Sequence, residues 1–353
     1  PTAVAATPTD APTAAPTAAP RPIYFPWVDK ASAATKQEPI DRVAGDFSRV
    51  AIGPRQVYAV EGGPPRLSLL LRNDGTRKLD REGSMALEAS VDPRTVRLAA
   101  DPSADYAYLL YQSALTVVEG LRPPEPRKLV AAPDCEALAQ APFSLLLGCD
   151  GLRLIDLDPR DAARDIAYVA RAGRAQALAA EDGLLAAVFR EAVPASRPSS
   201  LELYQLGYRR RPSRLGALGD VGFTVDLQMS GRTLYQLVDQ DGRRGLQIFD
   251  VAGSDAARTP RLLASIAMEG LPRRLALDRS RARLYLLEEG WFDRRDRLQH
   301  GMTGVRVYRI NDPRQPRLQR FLPLDQPALD IAAGEGLLYV AGGASGLEVY
   351  RVE

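Results

Sequence analysis

The chain has 353 residues, 45% of them apolar and 25% charged, and a net charge of +2. That is enough apolar material for one large repeat domain or two ordinary ones. No apolar run approaches the roughly 18 residues of a membrane-spanning helix, and basic and acidic residues are interleaved, which speaks against a nucleic-acid-binding face. Two cysteines and one histidine leave very little material for a Cys/His zinc site or a His-activated nucleophile.

Residues 1–21 are almost entirely Pro, Ala and Thr. Such a segment buries too little apolar surface to offset the entropy of ordering, so a disordered, polyproline-leaning tether is expected. Pro/Thr-rich stalks of this kind join exported domains to a wall or lipid anchor and can carry glycans; a cytosolic linker is the plainer alternative. No signal peptide is present, consistent with a mature or trimmed chain. Pro22–Val28 (PIYFPWV) follows as an isolated aromatic, strand-like run, and 29–45 is polar and poorly periodic, so a connection is expected there.

From Phe47 onward, short strands alternate with turn signals and no long helical period is found. A phrase recurs: GLQIFDV (Gly245 to Val251), GVRVYRI (Gly304 to Ile310) and GLEVYRV (Gly346 to Val352) are its clearest copies. Anchored on Leu67, Leu115, Leu152, Leu201, Leu246, Val305 and Leu347, the copies are spaced by 48, 37, 49, 45, 59 and 42 residues. A period of about 47 belongs to propeller blades, each a four-stranded antiparallel sheet. The expected fold is therefore all-β, a single seven-bladed β-propeller over residues 22–353. Its seventh unit ends at Glu353 after the third strand. A propeller avoids open sheet edges by closing on itself, so an N-terminal strand is expected to complete the last blade, with residues 22–28 in that place.

GLEVYRV, GVRVYRINDPRQPRLQRFLPL and PALDIAAGEGLLYVAGG resemble LVIVD-type repeats, the β-propeller repeats of bacterial and archaeal exported proteins. The resemblance covers residues 245–353, and by pattern alone 46–244. It implies a cell-surface or periplasmic setting and a binding or scaffolding role. The family shares no catalytic motif, so the resemblance carries no active site.

Cys135 and Cys149 flank the first hairpin of the third unit, with Pro142 at their midpoint. Residues equidistant from a hairpin turn face one another across an antiparallel pair at ~4.5–5.5 Å between Cα atoms, within disulfide reach. A disulfide, and with it an oxidising compartment, is expected; two buried free thiols are the alternative. The spacing is not CxxC, so a redox role is not.

The innermost strands align on a Leu-Ala-like step. Its second position holds Ala51, Ala99, Ala139, Ala179, Asp226, Ala276 and Asp330; two residues earlier stand Arg49, Arg97, Ala137, Ala177, Thr224, Arg274 and Ala328. Three arginines and two aspartates thus share one side of the strands that crowd the axis. They form either a charged channel mouth, binding an anion or a divalent cation held by Asp226 and Asp330, or a set of mutually satisfied structural pairs. Two carboxylates are few for calcium.

The spacing of 59 reflects a long insertion between the second and third strands of the sixth unit, Glu288 to Gly304. It carries Trp291, Phe292, Arg294, Arg295, Arg297 and His300. The fourth unit has a similar insertion from Arg190 to Ser200. Both should rise on the face where Arg49, Arg97 and Arg274 lie, and aromatic-plus-arginine sets are typical interface anchors; a plain solvated loop is the alternative. No Walker A, dinucleotide, GxSxG or HExxH motif occurs. The expectation is a non-catalytic, secreted or surface-tethered binding module for an envelope or extracellular protein or a surface polymer, with no cofactor. A metal-assisted, lactonase-like hydrolase, helped by Glu181 or His300, and a structural subunit of a larger envelope complex are the alternatives.

Overall fold

A computed structural model describes residues 37–352, apart from 74–75, 77, 121–123, 142–143, 158–163, 172, 191–198, 209, 241–243, 252–258, 293–298 and 301. The expected tether and Pro22–Val28 lie outside the described residues. The chain forms seven four-stranded antiparallel blades in a ring. In chain order the first strand, β1 (Asp41–Val43), stands apart from the units that follow. Blade 1 contains β2 (Phe47–Ile52), β3 (Gln56–Glu61), β4 (Arg66–Arg72) and β5 (Leu79–Ala86). Blade 2 contains β6 (Arg97–Ala100), β7 (Tyr106–Tyr111), β8 (Ala114–Glu119) and β9 (Glu125–Ala131). Blade 3 contains β10 (Ala137–Ala141), β11 (Ser144–Cys149), β12 (Gly151–Asp156) and β13 (Arg164–Val169). Blade 4 contains β14 (Arg174–Glu181), β15 (Leu184–Arg190), β16 (Ser200–Gly207) and β17 (Arg210–Leu218).

Blade 5 contains β18 (Thr224–Ser230), β19 (Thr233–Val238), β20 (Gly245–Asp250) and β21 (Arg261–Ala267). Blade 6 contains β22 (Leu271–Asp278) and β23 (Arg283–Glu289), then a small hairpin of β24 (Trp291–Phe292) and β25 (Gln299–His300), then β26 (Gly304–Arg309) and β27 (Arg317–Pro323). Blade 7 contains β28 (Asp330–Gly334), β29 (Leu337–Ala341) and β30 (Leu347–Arg351), and β1 pairs antiparallel with β30 as its fourth strand. The recurring phrase is the third strand of each blade. Its turn glycine adopts φ 149° at Gly245 and 97° at Gly346, and a Cβ at Gly245 would lie 2.0 Å from the Ile266 carbonyl oxygen. Only glycine fits such a close backbone approach.

Closure by an N-terminal strand holds, but the strand is Asp41–Val43, not 22–28. The reason is physical. An outer strand pairs along one edge only and needs little apolar surface, so three residues suffice. Val43 packs on the cluster that joins blades 7 and 1, with Phe47, Tyr339 and Leu347. Arg42 pairs with Glu348, the Ile40 N–H donates to the Val349 carbonyl at 2.8 Å, and the Leu79 N–H donates to Asp41 Oδ2 at 2.7 Å. The closing strand therefore grips both blades that flank the seam.

The core is distributed rather than central. Seven apolar clusters are found among the described residues, one between each pair of neighbouring blades. Alternation along the strands explains this, because both faces of every blade pack on a neighbour. The second strands of five blades carry a buried tyrosine (Tyr58, Tyr108, Tyr235, Tyr285 and Tyr339). The wide ring fills its wedge-shaped gaps with these large side chains, each of which carries ~150–250 Å² of mostly apolar surface.

Candidate functional site at the ring axis

The first strands of the seven blades surround a cavity of about 210 Å³ lined by Arg49, Arg97, Arg274, Asp226, Asp330 and Gln176, among others. All five axial residues expected from the sequence thus converge on one site. Four inner strands enter it through register shifts, at Phe47/Arg49, Ala175/Ala177, Thr224/Asp226 and Pro272/Arg274. Bulges of this kind re-aim side chains.

The polar groups link each blade to the next. Arg49 Nε donates to the Val96 carbonyl at 2.8 Å, joining blade 1 to blade 2. Arg97 Nε donates to the Glu136 carbonyl at 2.9 Å, joining 2 to 3. The Glu136 carboxylate then accepts from Arg174 Nη1 at 3.0 Å, joining 3 to 4. Gln176 Nε2 donates to the Thr224 carbonyl at 2.8 Å, joining 4 to 5. The Leu275 N–H donates to Asp226 Oδ2 at 2.8 Å, joining 5 to 6. Arg274 Nε lies 3.2 Å from Asp330 Oδ1, joining 6 to 7. Finally, the Val50 N–H donates to Asp330 Oδ2 at 3.1 Å, joining 7 to 1. Every seam of the ring is bridged at this end, so the reading as structural pairs describes most of these groups.

The electrostatics follow from burial. Arg49, which also donates to the Ser48 and Arg94 carbonyls, is pushed down to about 10. Burial is the largest cause; the Asp330 charge opposes it and the Arg274 and Arg97 charges add to it. Arg97 is lowered by burial and by Arg274. Burial raises the Asp226 carboxyl above the usual carboxylate range, although Arg274 and the N–H groups of Leu275 and Leu227 pull the other way. Both Asp226 oxygens are occupied by N–H donors, since Leu227 N–H also reaches Oδ1 at 2.8 Å. The two Asp330 oxygens face Val50 N–H and Arg274. Donors directed at all four oxygens compete with any cation, and no group of three potential metal ligands occurs among the described residues.

Gln176 and Arg174 were not singled out by the sequence, because alignment on the Leu-Ala step puts Ala177 in the axial row. Ala177 does hold that place, and Gln176 is the extra residue of the bulge at Ala175/Ala177, lining the cavity beside it. Glu181 sits at the opposite end of β14 and is held by Arg279, with Nε 3.0 Å from Oε1 and Nη2 3.0 Å from Oε2. It is therefore not available to assist Asp226 and Asp330.

The sixth-blade insertion begins beside this mouth. Leu271, at the start of β22, faces Glu289, at the end of β23. Arg273 Nε donates to Glu289 Oε2 at 2.7 Å, and the Gly290 N–H donates to Thr303 Oγ1 at 3.1 Å, closing the base. Above it, Trp291 pairs with His300 and Phe292 with Gln299. Trp291–Phe292 and Gln299–His300 thus form a separate two-stranded sheet between β23 and β26 in the chain. Arg294, Arg295 and Arg297 lie outside the described residues, as does most of the fourth-blade insertion. At the base of that second insertion Arg190 stacks over the exposed Phe223, 5.7 Å from the ring centroid. This aromatic escaped the sequence reading because it stands where an inner strand begins.

Cys135 and Cys149 form a disulfide. Their relation is not the direct opposition expected. Ala137 faces Gly148 and Ala141 faces Ser144, a register in which Cys149 falls opposite Glu136. Cys135 reaches it from one residue away, with Cα atoms 3.9 Å apart, after a turn in which Asp134 adopts φ 56°.

No protein-family model matches the chain, and no curated protein does. Solved structures do resemble it. It is similar to the Pan2 WD40 domain of Neurospora crassa, with a TM-score of 0.61 and 9% identity over 89% of this chain and 97% of that one. It is also similar to a chain of a mitotic checkpoint complex, with a TM-score of 0.63 and 11% identity over 99% of each. A third likeness is to PorZ, a bacterial surface component of the type-IX secretion system of Porphyromonas gingivalis. There the TM-score is 0.57 and the identity 16%, over 88% of this chain and 37% of that one. At such identities the likeness concerns the fold, and it agrees with the ring of blades: the chain is a seven-bladed β-propeller.

Proposed function

We propose that this chain is a secreted or surface-tethered propeller acting as a non-catalytic binding or scaffold module. Its partner would be an envelope or extracellular protein or a surface polymer, engaged through the face that carries the two insertions. The observation that carries this reading is the Trp291–His300 hairpin. It follows the end of β23, where Glu289 faces Leu271 at the start of the inner strand that carries Arg274, and long loops on folded scaffolds are where binding usually sits. Residues 1–21 would be the tether. The disulfide supports an oxidising compartment, and the resemblance to LVIVD-type repeats supports an exported setting. PorZ offers a bacterial surface protein with similar blades.

The test is capture from an envelope extract with the immobilised chain. The double variant Trp291→Ala/Arg295→Ala should lose the captured partner while its melting temperature stays within ~2 °C of wild type. Undiminished capture by that variant sinks the reading.

A further inference from the structure

The inter-blade links use the axial arginines unequally. Arg49 donates through all three of its nitrogens to carbonyls of Val96, Ser48 and Arg94. Arg274 is paired with Asp330 and donates to the Arg273 carbonyl. Arg97 has a single bond, from Nε to the Glu136 carbonyl, and its two terminal nitrogens meet no protein acceptor among the described residues. Arg97 lines a cavity of about 210 Å³, many times the ~10–15 Å³ that one water needs.

Arg49, Arg97 and Arg274 face Asp226 and Asp330, and the third lining carboxylate, Glu136, is held at 3.0 Å by Arg174, which Asp134 and Asp150 share. The free donors belong to the Arg97 guanidinium, whose planar fork matches a carboxylate. A dianionic phosphate would bring a second negative charge against Asp226 and Asp330, whereas a single carboxylate group would not. We infer that the axial cavity is a binding site for one carboxylate group, received by the terminal nitrogens of Arg97 with Arg274 beside it. The lowering of Arg97 by burial and by the Arg274 charge agrees, since an anion placed beside Arg97 relieves that repulsion. The carboxylate belongs either to a small free acid or to an acidic side chain that a partner inserts into the mouth.

Calorimetric titration of the full chain tests this with two probes, butyrate and the peptide acetyl-Gly-Glu-Gly-amide, at matched ionic strength. Wild type should bind at least one probe saturably, one to one. Arg97→Gln should weaken that binding at least tenfold, about 1.4 kcal/mol, while Arg55→Gln, which removes an exposed arginine paired with Asp105, leaves it unchanged. Binding of butyrate assigns the site to free acids; binding of the peptide alone assigns it to a partner's side chain. Arg97→Lys keeps the charge without the fork and should bind between wild type and Arg97→Gln. The variant Trp291→Ala/Arg295→Ala should bind as wild type does, which separates this site from the proposed surface. Absence of saturable binding by wild type, or equal binding by a folded Arg97→Gln variant, overturns the inference.

Discussion

Asp226 and Asp330 occupy equivalent places on their strands, yet their surroundings differ. Asp330 faces a guanidinium at 3.2 Å, whereas Asp226 is held by two backbone N–H donors and is raised by burial. The sign of the consequence is fixed by linkage. A carboxyl whose folded value lies above its unfolded one contributes stability in full below the unfolded value, and that contribution is lost as pH rises through the folded one. Relative to an Asp226→Asn variant, which does not titrate there, wild type should lose stability as pH rises from about 4. Urea unfolding of both proteins at pH 3.5 to 8 measures the difference; a gap that instead widens in favour of wild type with rising pH shows the N–H donors to dominate. The axial residues were legible because alternation puts positions two apart on one side, but the expected offset between aspartates and arginines is corrected by the register: Asp226 and Asp330 hold the place of Arg49, Arg97 and Arg274, while Gln228 and Ala332 hold that of Ala51 and Ala276. Gln176 was not legible, because it is the extra residue of a bulge, which brings it to the cavity beside Ala177 without leaving a mark in the composition.

Elements differ in how much of their pairing the sequence displays. The third strands announce themselves through a glycine and an aromatic. The closing strand β1 does not, since only Val43 of its three residues contributes to the apolar cluster, and the more apolar Pro22–Val28 drew the assignment instead. The hairpin of β10 and β11 shows a similar limit. The cysteines were correctly coupled by their symmetry about a turn, but the observed register is one residue away from that symmetry. A disulfide tolerates such a displacement where a strand pair does not, because Cys135 lies before the first paired residue. The bond closes a sequence separation of 14 residues. Loop-closure entropy in the unfolded chain assigns such a loop about 3 kcal/mol. The variant Cys135→Ala/Cys149→Ala should therefore unfold at lower urea concentration by an amount corresponding to a loss of ~2–4 kcal/mol. Non-reducing peptide mapping of wild type provides the companion check, and finding both thiols free would remove the argument for an oxidising compartment.

At the scale of the whole molecule, stability depends on one seam more than on the other six. Six interfaces join blades already connected through the chain, whereas blade 7 meets blade 1 without a direct connection between their inner strands. The devices that hold it include the apolar cluster around Phe47 and Tyr339, the pairing of β1 with β30, the backbone bridge between Phe47 and Gly343, the Arg72–Glu335 ion pair at 2.9 Å, and Asp330. Asp330 is 9% exposed and serves two neighbours at once, accepting from Val50 N–H across the seam and facing Arg274 in blade 6. Truncation to alanine would leave a backbone donor and a mostly buried guanidinium without their partner. Breaking a buried pair in this way costs about 3–5 kcal/mol. Asp330→Ala should thus be markedly destabilised, and Asp330→Asn, which keeps an acceptor for Val50 N–H, less so. The urea m-value distinguishes two mechanisms, because it follows the surface exposed on unfolding. An unchanged m-value with a lower midpoint describes a closed ring that is merely weaker. A reduced m-value in Asp330→Ala describes a ring already open at the seam before global unfolding, and a variant as stable as wild type removes Asp330 from the closure.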